Sequence, residues 1–316
     1  MPEPVVAIVG PTATGKSDLA LDLAVEYSEG PGAGAEIINA DSMQFYPGMD
    51  IGTAKVPEAS RRGIVHHLID ILPLHAEASV AEFQIGARRA IETIRAEQPD
   101  GSAMPILVGG SGLYVRAALD DLEFPPTDPD LRARLTQEAE VVGIQVMTER
   151  LRSVDPDSAA RLDDDRRIIR ALEVHELTGR PFSSYMPQRR YAAGIPPVVQ
   201  IGLRLNRDRL HQRIRDRVLA MLEQGWLEEV QRLVAQGITD SPTASRAIGY
   251  RQLLEVLEGR LPLDEAVEKI VIATRQFAKR QETWFSADPR VHWINADAPD
   301  RLQQAHKLIA VAQQRT

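Results

Sequence analysis

The octapeptide Gly10–Ser17, with the sequence GPTATGKS, constrains the fold more than any other part of the chain. It fits the pattern G-x-x-x-x-G-K-[ST] and lies between an apolar run, Val5–Val9, and an amphipathic run, Asp18–Val25. A strand, a glycine turn and a helix N-terminus make a phosphate-binding loop, because successive N–H groups can then point at one anion. In such a loop Lys16 contacts phosphate oxygens and the Ser17 hydroxyl can ligate Mg²⁺. A plain glycine turn with a helix-capping serine is the alternative.

Strand-like and helix-like segments alternate along most of the chain. Apolar runs predict strands at Val5–Val9, Ala35–Asn39, Pro105–Val108 and Val198–Leu205. Amphipathic periodicity predicts helices at Lys16–Glu26, Val80–Glu97, Leu210–Gln236 and Leu263–Phe285. Such alternation is typical of a parallel sheet covered by helices. We therefore expect the α/β class, with a P-loop NTPase-like parallel sheet flanked by helices.

The pattern changes between residues 120 and 197. Proline-rich segments at Phe124–Pro126 and Gly194–Pro197 indicate boundaries, and the residues between them carry helical patterns. Helices are predicted at Pro129–Val142, Met147–Ser153 and Asp165–Thr178. We therefore expect a core of residues 1–119 and 198–316 and a helical insertion domain of residues 120–197.

Polar residues follow the predicted strands at the edge where parallel sheets bind their ligands. Asp41 follows the second strand and could act as a general base, orient Mg²⁺ or cap the next turn. Ser111, in the turn Gly109–Gly112, could cap a helix or line a ligand site. Arg213 and Arg217 share one helix face, and a guanidinium there could reach a departing phosphate group.

Charge and composition narrow the function classes. The net charge of −8 disfavours nonspecific nucleic-acid binding, but residues 204–217 hold six arginines against two aspartates. Further basic clusters lie at residues 161–170 and 275–280, which suits a specific polyanion, although solvated helix faces would look the same. No cysteine, no signal-peptide pattern and no apolar run of membrane-spanning length is present. We expect a cytoplasmic protein without a membrane partner.

Eight motifs resemble those of the tRNA dimethylallyltransferases, also called tRNA isopentenyltransferases or the IPP transferase family, over nearly the whole chain. They are GPTATGKS at Gly10–Ser17, DSMQFYPGMDIGTAK at Asp41–Lys55, HHLIDI at His66–Ile71, VGGSGLY at Val108–Tyr114, RRIIRALEVHELTG at Arg166–Gly179, HQRIRDRV at His211–Val218, RAIGYRQ at Arg246–Gln252 and FAKRQETWF at Phe277–Phe285. The first motif occurs in many phosphate-binding proteins, whereas DSMQ with MDIGTAK, IGYRQ and KRQETWF are specific to this family.

The resemblance implies a reaction: the dimethylallyl group of dimethylallyl diphosphate is transferred to N6 of the adenosine 3′ to the anticodon of tRNA. It implies Asp41 as general base, with Arg217 and Lys16 acting on the diphosphate and Ser17 on Mg²⁺. The diphosphate site would comprise Gly10, Pro11, Thr12, Ala13, Thr14, Gly15, Lys16 and Ser17. The tRNA anticodon stem-loop would meet Asp41, Ser42, Met43, Gln44, Ser111, Arg166, Arg167, Ile168, Ile169, Arg170, Arg246, Ala247, Ile248, Gly249, Tyr250, Arg251, Lys279, Arg280, Gln281, Glu282, Thr283, Trp284, Phe285 and Ser286. The family also suggests a monomer.

The chain departs from the family pattern at three positions. Ser111 replaces an expected threonine, Val65 an expected proline, and Ser286 an arginine that often ends the last motif. Without the later motifs, an ATP-dependent small-molecule kinase would use the same loop and fold and is the main alternative function. A noncatalytic RNA-binding module is a further alternative, but such a module has no need of a phosphate loop.

Overall fold

The computed structural model describes residues 3–29, 34–97, 102–185 and 189–314. Within these ranges the chain divides into two compact units. The first comprises residues 1–119 and 193–316, and the second comprises residues 120–192. No helix in the described ranges is both long and apolar enough to cross a bilayer.

The first unit is built on a sheet that, in the described part of the chain, has six strands, all paired in parallel. The strands are Val5–Val9 (β1), Ala35–Asn39 (β2), His66–His67 (β3), Met104–Gly109 (β4), Val198–Arg204 (β5) and Val291–Asn295 (β6). Their order across the sheet is β3-β2-β4-β1-β5-β6. The neighbours β2, β4 and β1 therefore deliver three loops to one edge of the sheet, which begin at Ala40, Gly110 and Gly10.

Helices of the first unit cover this sheet and form a second cluster beside it. They are Lys16–Glu29 (α1), Val80–Ala96 (α2), Gly112–Leu119 (α3), Arg207–Glu223 (α8), Trp226–Ala235 (α9), Tyr250–Leu257 (α10), Leu263–Ser286 (α11) and Arg301–Gln313 (α12). One apolar core joins the sheet to α1 and α12, and another joins α8 to α11 around the buried indole of Trp226. The fold class expected from the sequence is confirmed.

The second unit consists mainly of helices: Pro129–Val142 (α4), Ile144–Val154 (α5), Pro156–Arg161 (α6) and Asp165–Thr178 (α7). Its core includes Leu135, Met147, Leu151 and Leu172. Aspartates cap α4, α6 and α7, and Gly179 ends α7 in the left-handed conformation. The starts of α4, α6 and α7 and the end of α7 thus have a local cause in the sequence.

Candidate active site

The segment Gly10–Ser17 forms the predicted loop between β1 and α1. Gly10 has a φ of +129°, and a Cβ there would lie 2.5 Å from the carbonyl oxygen of Leu203 on β5, so only glycine fits. The Thr14 hydroxyl donates to the Pro11 carbonyl at 2.8 Å and fixes the turn from inside. The exposed Ser17 lies in the first turn of α1. The loop therefore presents a helix N-terminus to a cavity, as an anion site requires.

Lys16 folds back over this loop and donates from Nζ to the Pro11 carbonyl at 2.7 Å. Burial, and after it the charge of the nearby Arg217 guanidinium, lower the pKa of its ammonium group to about 7, against an opposing effect of Asp41. The lysine of the motif is thus held where charge is costly.

Arg217 reaches the same loop from α8. Its Nη1 donates to the Thr12 hydroxyl at 3.4 Å. Burial lowers its pKa, and the carboxylates of Asp41 and Asp18 partly offset that effect. Its helix neighbour Arg213 pairs instead with Asp297 at 2.5 Å. Of the two arginines proposed from the sequence, Arg217 is the one that contacts the phosphate loop.

Asp41 follows β2 and faces both cations. Its Oδ1 accepts the Met43 N–H at 3.0 Å and caps the short 3-10 helix Ser42–Phe45. Burial raises the pKa of the carboxyl group, against the lowering effects of that hydrogen bond and of the two nearby charges of Lys16 and Arg217. Within the described residues, Oδ2 accepts no hydrogen bond. Turn capping and a reactive carboxyl group are therefore compatible in one residue.

The buried Asn39 holds the backbone around Asp41. Its Oδ1 accepts the Asp41 N–H at 3.0 Å, and its Nδ2 donates to the carbonyls of Asp41 at 3.0 Å and Leu68 at 2.8 Å. The sequence pattern did not predict this role for Asn39, because the residue stands at the end of an apolar strand.

Two adjoining cavities open beside these residues. The larger, of about 740 Å³, is lined by Lys16, Ser17 and other loop residues. The smaller, of about 330 Å³, is lined largely by apolar side chains, with Ser111 on its wall. Thr12, Asp41 and Arg217 line both. A phosphate-binding surface thus adjoins a space that suits an organic group.

Two later motifs contribute to the same walls. Arg246, Ala247, Ile248 and Tyr250 line the smaller cavity. Gln281 lines both cavities, and its Oε1 accepts the Thr12 N–H at 2.8 Å. The remaining expected residues of these motifs differ in exposure: Arg251, Lys279, Arg280, Thr283, Trp284 and Ser286 are exposed, Glu282 is half-buried, and Gly249 and Phe285 are buried.

The turn that includes Ser111 packs closely on both sides. A Cβ on Gly110 would lie 2.1 Å from Nε2 of Gln281, and one on Gly112 would lie 1.8 Å from the Trp284 ring. Helix α3 begins at Gly112, so Ser111 both precedes a helix and lines a cavity. Both alternatives for this turn therefore describe part of what is observed.

Segment 166–170 lies on α7 of the helical unit. Arg166 and Arg167 are exposed, whereas Ile168 and Ile169 belong to the core of that unit. Arg170 pairs with the buried Glu173 at 2.9 Å and donates to the carbonyls of residues 125 and 126. The two isoleucine side chains are thus unavailable to a ligand, and the exposed cations of the segment are Arg166, which pairs with Asp164 at 3.5 Å, and Arg167.

The donor set tests whether Mg²⁺ would fit. No group of three or more His, Cys, Asp or Glu side chains with metal-binding geometry occurs in the described part of the chain. Mg²⁺ favours sites with one or two protein ligands, water and substrate phosphates. The exposed Ser17 hydroxyl beside the loop fits such a site, in which phosphate oxygens supply most of the coordination.

Comparison with known proteins decides the family. The family model described as IPP transferase matches residues 44–288. The chain belongs to the IPP transferase family. Two relatives named tRNA dimethylallyltransferase are 56% identical: one from Kocuria rhizophila over 95% of this chain and 91% of its own length, and one from Pseudarthrobacter chlorophenolicus over 96% and 98%.

Solved structures of the IPP transferase family share the fold. The tRNA isopentenylpyrophosphate transferase of Bacillus halodurans is 37% identical with a TM-score of 0.71, and the match covers 99% of this chain and 97% of that one. A eukaryotic dimethylallyltransferase acting on tRNA is 26% identical with a TM-score of 0.81, over 99% of this chain and 79% of that one.

Proposed function

We infer that the protein is a tRNA dimethylallyltransferase, which transfers a dimethylallyl group from dimethylallyl diphosphate to N6 of the adenosine 3′ to the anticodon and releases diphosphate. The observation that carries this conclusion is identity of 56% over nearly the full length to two enzymes of that name. The family match does not favour the kinase alternative. The same two relatives are named as enzymes, which argues against a noncatalytic RNA-binding module.

The phosphate loop holds the diphosphate of the donor in this proposal. Negative charge develops on the diphosphate oxygens as the allylic C–O bond breaks. Lys16 and Arg217 meet at the loop and would stabilise that charge, together with the loop N–H groups. Mg²⁺ held by Ser17 and the phosphates would supply further charge neutralisation.

Asp41 is the proposed general base. The exocyclic amine of adenosine is a weak nucleophile because its lone pair is delocalised into the ring. As the new N–C bond forms, the amine gives up a proton, and the unpartnered Oδ2 of Asp41 can accept it. The raised pKa of this carboxyl group makes it a better base than an ordinary aspartate.

The acceptor base enters the smaller cavity in this proposal. That cavity is lined by the apolar Met43, Ile248 and Phe277 and by Asp41. A base must leave its stack to reach an enclosed carboxylate, and extrusion costs least from a single-stranded loop. The expected contacts of Gln44, Arg246 and the exposed residues of segment 279–286 with RNA are part of this proposal.

The proposal extends to setting and assembly. The relatives named above come from bacteria, and we propose that this enzyme, like its tRNA substrate, is cytoplasmic. A single chain carries the loop, Asp41, Arg217 and both cavities, so a monomer would be sufficient for the reaction.

One assay tests the reaction itself. The protein is incubated with Mg²⁺, dimethylallyl diphosphate and an anticodon stem-loop carrying the target adenosine. We expect the RNA to gain the mass of one C5H8 unit, with release of one diphosphate that requires both substrates. No gain in RNA mass, with ADP formed when ATP and a small-molecule acceptor are supplied in a parallel reaction, would favour the kinase.

The role of Asp41 is tested by Asp41→Asn. The amide oxygen can still accept the Met43 N–H, so the turn is retained while the base is lost. We expect the single-turnover rate to fall by about 10²- to 10⁴-fold with donor affinity largely unchanged. The matched control is Asp128→Asn, since Asp128 caps α4 through Oδ1 outside the site and should leave the rate unchanged. Loss of donor affinity with the rate retained would make Asp41 a binding residue.

A further inference from the structure

The motif MDIGTAK, residues 49–55, has no role in the reaction as described so far. Three successive N–H groups of this segment donate to one carboxylate: those of Asp50, Ile51 and Gly52 bind Glu229 at 3.0, 2.7 and 3.2 Å. Glu229 lies on α9 and is 1% exposed. A buried carboxylate is thus neutralised by a row of backbone donors from a distant loop.

Tyr250 supplies a fourth donor to the same carboxylate. Its hydroxyl donates to Oε1 of Glu229 at 2.6 Å. Burial, followed by the negative charge of Glu229, raises the pKa of this phenol well above its usual range, so it keeps its proton. Glu229 therefore joins α9, the start of α10 and the loop into one hydrogen-bonded unit.

Lys55 fixes the other end of the loop. Its buried Nζ donates to the Tyr46 carbonyl at 3.0 Å and pairs with Asp50 at 2.6 Å and Asp70 at 2.5 Å. The backbone between Asp50 and Lys55 is therefore anchored on both sides, by a carboxylate at one end and an ammonium group at the other.

The anchored loop carries a wall of the proposed acceptor site. Gly52 and Thr53 line the smaller cavity. The Thr53 carbonyl accepts a hydrogen bond from Nε2 of Gln44 at 3.1 Å. A Cβ on Gly52 would lie 2.1 Å from Nε1 of Trp226, so this loop packs directly on the indole. Displacement of the loop would move this wall and Gln44 together.

We propose that Glu229 is a positioning residue for the acceptor RNA. It touches neither substrate; it holds residues 50–53 so that the wall at Gly52 and Thr53 receives the acceptor nucleoside. Asp50, Ile51 and Thr53 also border the larger cavity. Within the described residues, however, no hydrogen bond joins this unit to Gly10–Ser17, so we expect the contacts of the phosphate loop with the donor to be kept when the unit is loosened. The proposal rests on the function inferred above.

The test is Glu229→Gln, which keeps the shape but turns an NH₂ group toward N–H donors. We expect the KM for the stem-loop to rise about tenfold, while the KM for dimethylallyl diphosphate stays within twofold. The matched control is Asp288→Asn, because Asp288 is also buried, pairs with Arg290 and lines neither cavity. That control should leave both KM values within twofold.

Amide hydrogen exchange gives a second readout that needs no turnover. Peptides covering residues 50–53 should exchange faster in Glu229→Gln and at the wild-type rate in Asp288→Asn. If the wild type does not alkylate RNA, the proposed function fails while exchange still tests the anchoring. If Glu229→Gln does not fold, Glu229→Asp replaces it, since a shorter carboxylate cannot reach all three N–H groups, with an expected rise of about threefold in the KM for RNA alone. A parallel rise of both KM values, or kinetics and exchange like the control, would overturn the proposal.

Discussion

At the scale of single residues, the site is governed by three charged groups that share a partly enclosed space. Burial opposes ionisation of Lys16, Arg217 and Asp41 alike, and the attraction between Asp41 and the two cations only partly offsets it. The two cations repel each other, and a diphosphate between them would relieve that repulsion. Donor binding should therefore be linked to protonation of Lys16.

A pH titration of diphosphate affinity tests this linkage. The pKa of Lys16 is lowered to about 7 in the folded protein, so its ammonium charge is lost as pH rises through 7. Diphosphate prefers the charged form. The affinity advantage of the wild type over Lys16→Met should be complete below pH 6.5 and shrink by up to about tenfold for each pH unit above 7. Calorimetry with pyrophosphate at fixed Mg²⁺ measures both proteins, and the comparison cancels titration of the ligand.

The lowered pKa of Lys16 also makes the folding stability depend on pH. In the unfolded chain Lys16 keeps its ordinary pKa of 10.5, so the unfolded state binds more protons between about pH 7 and 10.5. The contribution of Lys16 to folding stability therefore rises with pH across that window. In the pyrophosphate titration, an affinity advantage of the wild type over Lys16→Met that stays constant from pH 6 to 9 would show that Lys16 is charged throughout.

Local motifs predicted the residues that lie next to one another in sequence and at strand ends. The phosphate loop is recognised from eight consecutive residues, and Asp41 from its place after a strand. The contact of Gln281 with Thr12 joins residues 269 positions apart, and that of Glu229 with the loop joins residues about 178 apart. Such contacts leave no local pattern, because an amphipathic helix looks the same whichever loop its polar residue binds.

At the scale of elements, one sequence prediction was wrong in a way that has a physical cause. The segment Leu210–Gln236 was expected to be a single helix, but α8 ends at Glu223 and α9 begins at Trp226. Gly225 stands between them with a φ of +93°, a left-handed conformation that ends one helix and precedes the next. The break turns α9 so that Trp226 and Glu229 are buried.

Gly225→Ala tests the energetic cost of this break. We expect the free energy of unfolding to fall by about 1–2 kcal/mol, because an alanine must adopt the left-handed conformation there. Urea denaturation followed by circular dichroism measures the change. Gly34→Ala is the control, since a Cβ at Gly34 meets no atom within 4 Å and its φ is not positive. Equal stability of the two variants would mean that the α8–α9 junction can straighten without cost.

The bounds of the other elements were predicted best where their residues are most buried. The strands β1 and β2, which are almost wholly buried, have the bounds expected from their apolar runs. The edge strand β6 exposes His292 and Asn295, and β3 has only two residues, so neither has a continuous apolar run to reveal it. The short helix α10 follows a glycine turn and was not predicted, whereas a helix at α3 was one of two alternatives for the turn Gly109–Gly112.

At the scale of the whole molecule, an acidic protein must bind an acidic polymer. The net charge is −8, so any attraction to RNA has to come from local cationic surface. Arg170 is tied to Glu173 within the helical unit, whereas Arg166 and Arg167 are exposed on the same helix. The ion pair of Arg166 with Asp164 is long, at 3.5 Å, and exposed, so a phosphate can displace it. We propose that Arg166 and Arg167 contact the RNA backbone.

The salt dependence of RNA affinity tests this assignment. Each phosphate contact with single-stranded nucleic acid contributes roughly 0.7 to the slope of log K against log salt concentration. The double variant Arg166→Ala with Arg167→Ala should therefore lower the slope by about 1.4 and weaken binding most at low salt. Fluorescence anisotropy of a labelled stem-loop between 50 and 200 mM salt, roughly the range where such slopes are steep, measures it.

Arg152→Ala is the control, because Arg152 is exposed on the same unit but lies on α5 and pairs with Glu149. Its slope should match the wild type, since that ion pair is made within the helix and involves no phosphate. A double variant with an unchanged slope would place the RNA contacts on the first unit, at the exposed cations Arg251, Lys279 and Arg280.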